Sequence, residues 1–514
     1  MAIHTFAAIY IGTYDVSLKV FEFSEKKKLR EVDHIRARLD LGRDAFVKGS
    51  IGYELVEALC DTLAEFKQII LGYKAQSYEV YASAVLRGLS NELFILNQIY
   101  LHTGFSVKVL SNSERRFVSY EAVAGKGAFE QMIQTSAAVV DVGGASMQIT
   151  IFREGRLITT QHIEAGTMRI RSLLGDRGNS LKLYETQIEE YMNKKLESFR
   201  AMYMTENVDY VILISDYGTE LIKKIEKNGQ DEKLVKSEKF IKFIDKLQKK
   251  TLEEITSELN LPNDREPLIV PSIILFKTLV QNIGPKEVWV PGYGIQDGIA
   301  YDYGYRNKLL KAMHDFDADV ISAAKFMSEH YKSYSPHIEA LSTLSTKIYD
   351  TLKKMHGLGK RQRLLLEVAT ILHDCGKFVS LADSPDSAYQ IIMSSEIIGL
   401  THLERQIVAL TVLYNTKPLD NYEEVSDRLG QDDYLVVAKL SAILRVANAL
   451  DQSHRQKFKN IRIAVKDREL VITVEAFEDI SLEQALFDAK TAYFENVFSM
   501  KPVLRQKRIF LREI

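Results

Sequence analysis

Ala8-Ile9-Tyr10-Ile11-Gly12-Thr13-Tyr14-Asp15 and Val139-Val140-Asp141-Val142-Gly143-Gly144-Ala145-Ser146 are the two stretches that decide the fold. Each is an apolar run that turns at glycine into small polar residues. Each then continues into a second run, Val16 to Phe21 after the first and Met147 to Phe152 after the second. The pattern predicts a β-hairpin whose turn presents backbone N–H groups to an anion. Glycine there lets the chain bend and a phosphate come close. Two such hairpins, about one small domain apart, predict duplicated halves facing each other across a phosphate-binding cleft.

The segments around them fit that plan. Residues 1–125 alternate strand runs with amphipathic helices: a helix over Ile51 to Leu71, a strand at Tyr78 to Ala82, a helix over 90–103 and a strand from Ser106 to Leu110. This βα rhythm predicts an α/β sheet. Residues 126–305 repeat it from the second hairpin, with later strands at Val208 to Ile214 and Glu287 to Val290. Between those strands the charged run Lys223 to Lys250 reads as a pair of solvated helices. From 306 to 455 the chain reads as a helical domain, with apolar spacing such as Leu341, Leu344, Ile348 and Leu352. Residues 456–514 read as a small α/β cap: two strand runs about Lys466 to Glu469, a helix over Leu482 to Phe498 and a basic strand around Arg505 to Phe510.

A chain of 514 residues is too long for one core, so several domains are required. A net charge of -2 gives no global pull toward nucleic acid or an anionic membrane. Two distant cysteines, Cys60 and Cys375, make no disulfide framework and suit a reducing cytoplasm. No apolar stretch is long enough to span a bilayer.

Taken in order, several short motifs resemble the Ppx/GppA family of exopolyphosphatases and guanosine pentaphosphate phosphohydrolases. Ala8 to Phe23 is similar to its first phosphate hairpin, Ser83 to Arg87 to its strand-and-arginine motif, and Thr103-Gly104 through Ser111 to the run into its catalytic-acid segment. Val139 to Ser146 resembles its second hairpin, and Ala165 to Arg169 its Gly-x-x-Arg motif. His337, Ile371 to Lys377 and Leu440 to Asp451 resemble the HD domain of long members. The resemblance implies two actin-like α/β domains, a helical HD-like domain and the small α/β cap, in a homodimer.

The resemblance also implies roles. Gly12, Thr13, Gly143, Gly144, Ala145, Ser146, Arg169, Gly218 and Thr219 would bind phosphate, and Asp141 would be a catalytic carboxylate that holds Mg²⁺. Tyr10 stands where the first hairpin's aspartate is expected, and Tyr14 where a small polar contact is usual. The catalytic-acid segment reads Ser111-Asn112-Ser113-Glu114-Arg115-Arg116, with Arg115 at the position of the base. Arginine stays protonated and cannot be a general base. Glu114 is then either the base, shifted by one residue, or a surface charge. Arg115 and Arg116 are either solvated or bidentate phosphate ligands. Gln148, Tyr217 and Gly292 replace a usual glutamate, small residue and aspartate.

In the helical half the HD-like set would be His337, His373 and Asp374, with Asn448 where a further acid is expected. Loss of that acid favours reading His373 as a hydrogen-bonded core histidine over a ligand. Asp386, Tyr414 and Asn415 occupy positions where second-metal histidines often stand. Local basic clusters, Lys353-Lys354, Lys360-Arg361-Arg363 and Arg505-Lys507-Arg508, could line a polyphosphate path or simply be solvated faces.

Two function classes follow. The first is a Mg²⁺-dependent phosphoanhydride hydrolase that releases terminal phosphate from polyphosphate or guanosine pentaphosphate. The second is a weakened member that binds polyphosphate or a guanosine alarmone and regulates a partner, since binding can outlast lost transition-state contacts. Nucleotide hydrolysis at the HD-like site is disfavoured by Asn448. Neither class needs a membrane or nucleic acid.

Overall fold

The computed structural model describes residues 3–25, 27–144, 146–174, 181–204, 206–225, 234–261 and 266–508. The chain forms two compact units, Met1–Asp315 and Phe316–Ile514.

The first unit holds two sheets. In one, β1 (His4–Ile11), β2 (Asp15–Phe23) and β3 (Leu29–Arg38) form an antiparallel meander, and β4 (Ser77–Ala82) and β5 (Val107–Val109) add in parallel beyond β1. Its order is β3-β2-β1-β4-β5. In the other, β6 (Ser136–Val142), β7 (Met147–Arg153) and β8 (Arg156–Ile163) are the meander. β9 (Tyr210–Ile214) and β11 (Glu287–Trp289) follow in parallel, and β10 (Leu234–Lys236) pairs antiparallel at the edge. The order β8-β7-β6-β9-β11 repeats that of the first sheet, with β10 as an addition. The expected duplication is present at the level of topology, with both glycine turns at the same corner of their sheets.

Each sheet is covered on the strength of apolar spacing. Leu59, Leu63 and Phe66 from helix Tyr53–Gly72, and Ile95 and Ile99 from helix Glu92–Thr103, pack in the first core. In the charged run, helix Ser237–Leu247 buries Phe240, Ile244 and Leu247, one stripe at helical spacing, in the second core. The expectation of two solvated helices there is therefore corrected. Charge count hid the stripe, and β10 was missed because its three residues are too short to show alternation.

Helix Ile295–Arg306 does not stay with the second sheet. It lies on β1 and β2 and against helix Asn112–Ala124. Tyr303 stacks on Phe6 with ring centroids 4.2 Å apart. Lys19, 6% exposed, reaches Asp297 at 2.9 Å and Glu31 at 2.7 Å. Burial would lower the Lys19 pKa, but these two carboxylates outweigh it and hold it above the usual value. A Cβ on Gly298 would stand 1.9 Å from the Val118 carbonyl oxygen, so the two helices touch backbone to backbone. The unit ends beyond this helix because His314 returns to it, with Nε2 3.0 Å from Tyr120 OH and Nδ1 2.5 Å from Glu130.

The second unit is helical from Phe316 to Ala449 and ends in a sheet of β12 (Lys459–Lys466), β13 (Glu469–Ala476) and β14 (Lys501–Arg508). Asp467 and Arg468, both at positive φ, make the two-residue turn between β12 and β13. Helix Ser481–Phe498 connects β13 to the parallel β14 and packs on helix Gln431–Ala449. Three arginines of the basic clusters are engaged by acids: Arg361 with Glu404 and Asp317, Arg363 with Asp350, Arg505 with Glu469. Phe510 lies outside the described residues.

Two predictions follow from this packing. Gly298→Val should lower unfolding stability by about 3 kcal/mol, as overpacking against rigid backbone does, read from the fluorescence of Trp289, the chain's one tryptophan. His356, 2% exposed, donates from Nε2 to Tyr349 O at 2.9 Å and accepts at Nδ1 from Leu358 N at 2.8 Å. Burial first, then Lys439, lowers its pKa against Asp350 and the Tyr349 bond. The unfolded chain therefore binds a proton near the ordinary imidazole value of about 6.5 while the folded chain does not. Stability of this unit should fall as pH drops from 7 to 5. His356→Asn should show a smaller drop in urea titrations followed by far-UV circular dichroism.

Candidate functional site

Both hairpins close with the same bond. Gly12 N–H donates to Asp15 O at 2.8 Å, and Gly143 N–H donates to Ser146 O at 3.0 Å. A Cβ at Gly12 would stand 2.9 Å from Asp15 O, and one at Gly143 3.2 Å from Ser146 O. The second turn is also clamped from outside. At the start of helix Thr167–Leu174, Thr167 N–H donates to Gly143 O at 3.2 Å, and Met168 and Arg169 N–H donate to Gly144 O at 2.8 and 3.1 Å. Gly166 makes that approach possible, since a Cβ there would meet Gly144 O, Ser146 N and Gly143 O at 2.3 to 2.5 Å.

β6 runs into this turn, and its Asp141 is opposite Ile214 of the parallel β9. The Gly218–Thr219 pair follows β9, in helix Asp216–Ile225. Gly218 packs on Leu213 and Val290, and Thr219 Oγ1 turns back to Ser215 O at 3.5 Å. Thr13 gives its carbonyl to Gly42 N at 2.8 Å. Ala145 lies outside the described residues. Tyr14, beside the first turn, has its phenol pKa raised by burial and by Asp40, with Arg171 opposing.

Helix Asn112–Ala124 supplies the cations. It begins in a capping box: Ser111 Oγ accepts from Glu114 N at 3.2 Å, and the Glu114 carboxylate accepts from Ser111 N at 2.8 Å. Glu114 also lies 3.9 Å from Arg87 and 4.0 Å from Lys108. Its carboxylate serves the helix start, whereas the next two side chains face the second hairpin. Arg115 Nη2 donates to both oxygens of Asp141, at 3.1 and 3.3 Å. Arg116, 3% exposed, donates from Nη2 to Ser146 Oγ at 2.6 Å and from Nη1 to His162 Nδ1 at 2.6 Å. Arg169 pairs with Glu164 at 3.0 Å on the surface.

These contacts change two expectations. Arg115 and Arg116 are not solvated, and in this structure they bind the protein's own carboxylate and hydroxyl. A Mg²⁺ ion at Asp141 does not fit this arrangement. Mg²⁺ asks for oxygen ligands in tight octahedral geometry, yet Asp141 gives both oxygens to a guanidinium, and position 10 offers a phenol in place of a second carboxylate. The sequence reading missed His162, whose signal was its place across from Gln148 in the β7–β8 register. It also missed Glu121, nearly two turns along the helix from Arg115. Burial raises the Glu121 pKa well above the usual range, Asp302 adds to this, and Arg306 and Lys108 oppose it.

In the second unit, His337, His373 and Asp374 come together, with His454 as an unexpected fourth member. Asp386 pairs with Lys417 at 2.5 Å, and Tyr414 OH bonds Asp420 at 2.6 Å, so those positions are engaged elsewhere. The described residues include no helix long and apolar enough to cross a membrane.

Two α/β sheets of matching strand order, each with a glycine turn between its first two strands, define the class of this fold. Residues 20–306 match the Ppx/GppA phosphatase family, and residues 322–490 match Ppx/GppA phosphatase, domain III. The chain belongs to the Ppx/GppA phosphatase family, and with it to the hydrolases. It is 22% identical over 459 residues, 86% of each chain, to a guanosine-5'-triphosphate,3'-diphosphate pyrophosphatase of Aeromonas hydrophila. Its fold is shared with the crystal structure of the Aquifex aeolicus family member, at a TM-score of 0.52 and 18% identity over 60% of this chain and 99% of that one. An exopolyphosphatase from Cytophaga hutchinsonii matches at a TM-score of 0.52 and 17% identity, with the same coverage of both chains.

Arg115→Ala should cost about 2 kcal/mol of stability, because it leaves a buried carboxylate without its donor. Adding Asp141→Asn should recover part of that loss in a double-mutant cycle read by Trp289 fluorescence.

Proposed function

We propose that the second-hairpin corner takes the terminal phosphate of inorganic polyphosphate or guanosine pentaphosphate, and that the protein hydrolyses the phosphoanhydride bond there. Family membership supports this reading, as do the activities named for its relatives. The observation that carries it is the Arg115–Asp141 pair beside the Gly143–Gly144 turn. One Arg115 nitrogen is shared between two carboxylate oxygens, a looser contact than a two-nitrogen fork. An incoming phosphate, with more charge and more acceptors, exchanges for that carboxylate. Arg115 then holds the phosphate, and Asp141, released within the same corner, accepts a hydrogen bond from the attacking water. Arg116, fixed on Ser146 and His162, holds the turn in place. Glu114 stays in its capping box, and Mg²⁺ has no step in this scheme. The homodimer and a cytoplasmic location, both implied by the resemblance, belong to the same proposal.

A second reading, a binding protein without turnover, is favoured by one specific observation: an arginine stands at the base position and occupies the hairpin carboxylate. Phosphate release from long-chain polyphosphate and from guanosine pentaphosphate, each with Mg²⁺ and with EDTA, separates the two. The hydrolase reading expects release that persists in EDTA and falls at least about 100-fold in Asp141→Asn, the scale of a lost proton acceptor. No release, with ligand-induced thermal stabilisation intact, would replace it by the second reading.

A further inference from the structure

Helix Glu92–Thr103 carries apolar residues on two opposite sides. Ile95 and Ile99 face the first core, and Thr103 is buried with them. On the other side Leu93, Phe94, Tyr100 and Leu101 are 59 to 79% exposed. A helix that is apolar on both sides belongs in an interior, yet among the described residues no element covers the outer side of this one. From Leu93 to Val107 the chain holds no aspartate, glutamate, lysine or arginine. The helix is pinned near both ends, where Asn91 Nδ2 donates to Ile51 O at 2.8 Å and Lys67 Nζ donates to Thr103 O at 2.7 Å. The exposed side chains therefore stand on a fixed base.

These residues are spaced symmetrically about Asn97. Leu93 and Phe94 come four and three positions before it, and Tyr100 and Leu101 come three and four after it. At helical spacing all five share one face. In an antiparallel pair of such helices related by a two-fold axis at Asn97, Leu93 meets Leu101, Phe94 meets Tyr100, and Asn97 meets itself. A two-fold contact requires a patch that complements itself, and this spacing meets the requirement. The two Asn97 amides can each donate to and accept from the other, and a single asparagine in an apolar seam fixes register. Antiparallel order also sets the helix dipoles head to tail. Aromatic side chains offer about 200 Å² each, so the four exposed residues present roughly 500 Å² per copy. Two copies would bury about 1,000 Å², the size at which specific interfaces begin.

We propose that helix Glu92–Thr103 docks on the same helix of a second copy of this chain, antiparallel and two-fold about Asn97. Phe94 and Tyr100 are the anchors, in keeping with the aromatic bias and charge depletion of interface centres. The small area sets the contact at the weak end of specific interfaces, with a dissociation constant in the micromolar range. The neighbouring helix Tyr53–Gly72 carries the exposed acids Glu57, Asp61 and Glu65, and the two-fold keeps them on the same side in both copies. Salt, which screens like charges, therefore tightens the contact. The homodimer implied by the family resemblance names no surface. This face is read from the helix itself and adds to any contact made elsewhere.

The test uses the full chain in high salt. Sedimentation velocity across micromolar concentrations should show the mass of the dilute state doubling as concentration rises. Phe94→Glu changes a side chain that lies in solvent, so its circular dichroism should match the wild type. Its dissociation constant should rise at least about tenfold, the scale of a lost interface anchor. Asn97→Cys should form a disulfide-linked dimer on mild oxidation, because the two-fold brings this residue to itself. Cys60 and Cys375 are both buried, so the wild type should stay unlinked, as should Glu57→Cys on the neighbouring helix. A mass that does not change with concentration would overturn the proposal. So would association of equal strength in Phe94→Glu, or Asn97→Cys linking no faster than Glu57→Cys, since either result places the contact on another surface. Phosphate release is not a readout, so this result is independent of the hairpin site.

Discussion

The close approach of Gly166 to the Gly143–Ser146 turn is the constraint from which the geometry of the first unit follows. Three N–H groups of one helix bond to two carbonyls of that turn, and no side chain at Gly166 can intervene. The turn therefore cannot shift without breaking a helix start. Asp141 and Ser146, at its two ends, are fixed points on which Arg115 and Arg116 dock. Docking aligns helix Asn112–Ala124, and that helix offers its backbone at Val118 to Gly298. Helix Ile295–Arg306 is thereby pressed onto β1 and β2. The second hairpin thus positions an element on the first sheet through a series of contacts that each depend on a missing or a charged side chain.

The charge balance of the corner follows from that docking. At 3.1 Å, and with an effective dielectric constant of 20, a unit pair is worth roughly 5 kcal/mol before desolvation. A divalent cation would have to displace this half-buried guanidinium and then leave it beside the ion. A phosphate faces the reverse situation: it gains the guanidinium and leaves only a carboxylate that can hydrogen-bond water. The same side chain at position 115 that rules out the family's base therefore tilts the corner away from cations and toward anions.

Much of this was legible in the sequence because it rests on local rules. Both hairpins, the repeated strand plan and the Asp467–Arg468 turn each leave a signature within a few residues. The partners of Arg115 and Arg116 were not legible, since choosing between phosphate, solvent and an internal carboxylate depends on where β6 and β8 bring Asp141 and His162. Glu114 was read as a shifted base because spacing puts it next to the base position. Its spacing from Ser111 equally predicts a capping box, and the backbone N–H of Ser111 took the carboxylate. Helix Ile295–Arg306 was assigned to the second domain by chain order, whereas Gly298 and Gly304 bind it to the first. His454 left no signal at all: a histidine in a loop acquires meaning only when stacked on His337.

The two units treat cations in opposite ways. In the first, a carboxylate expected to hold an ion is matched by a cation built into the chain, so the corner is electrically complete and open to exchange with an anion. In the second, tautomers are locked by Asp451 and by Thr370 O so that lone pairs face a carboxylate, with the Lys377 ammonium on its outer oxygen. Neutral imidazoles cannot relieve that arrangement themselves, and burial holds His373 well below its usual range, at about 4, against the pull of Asp374.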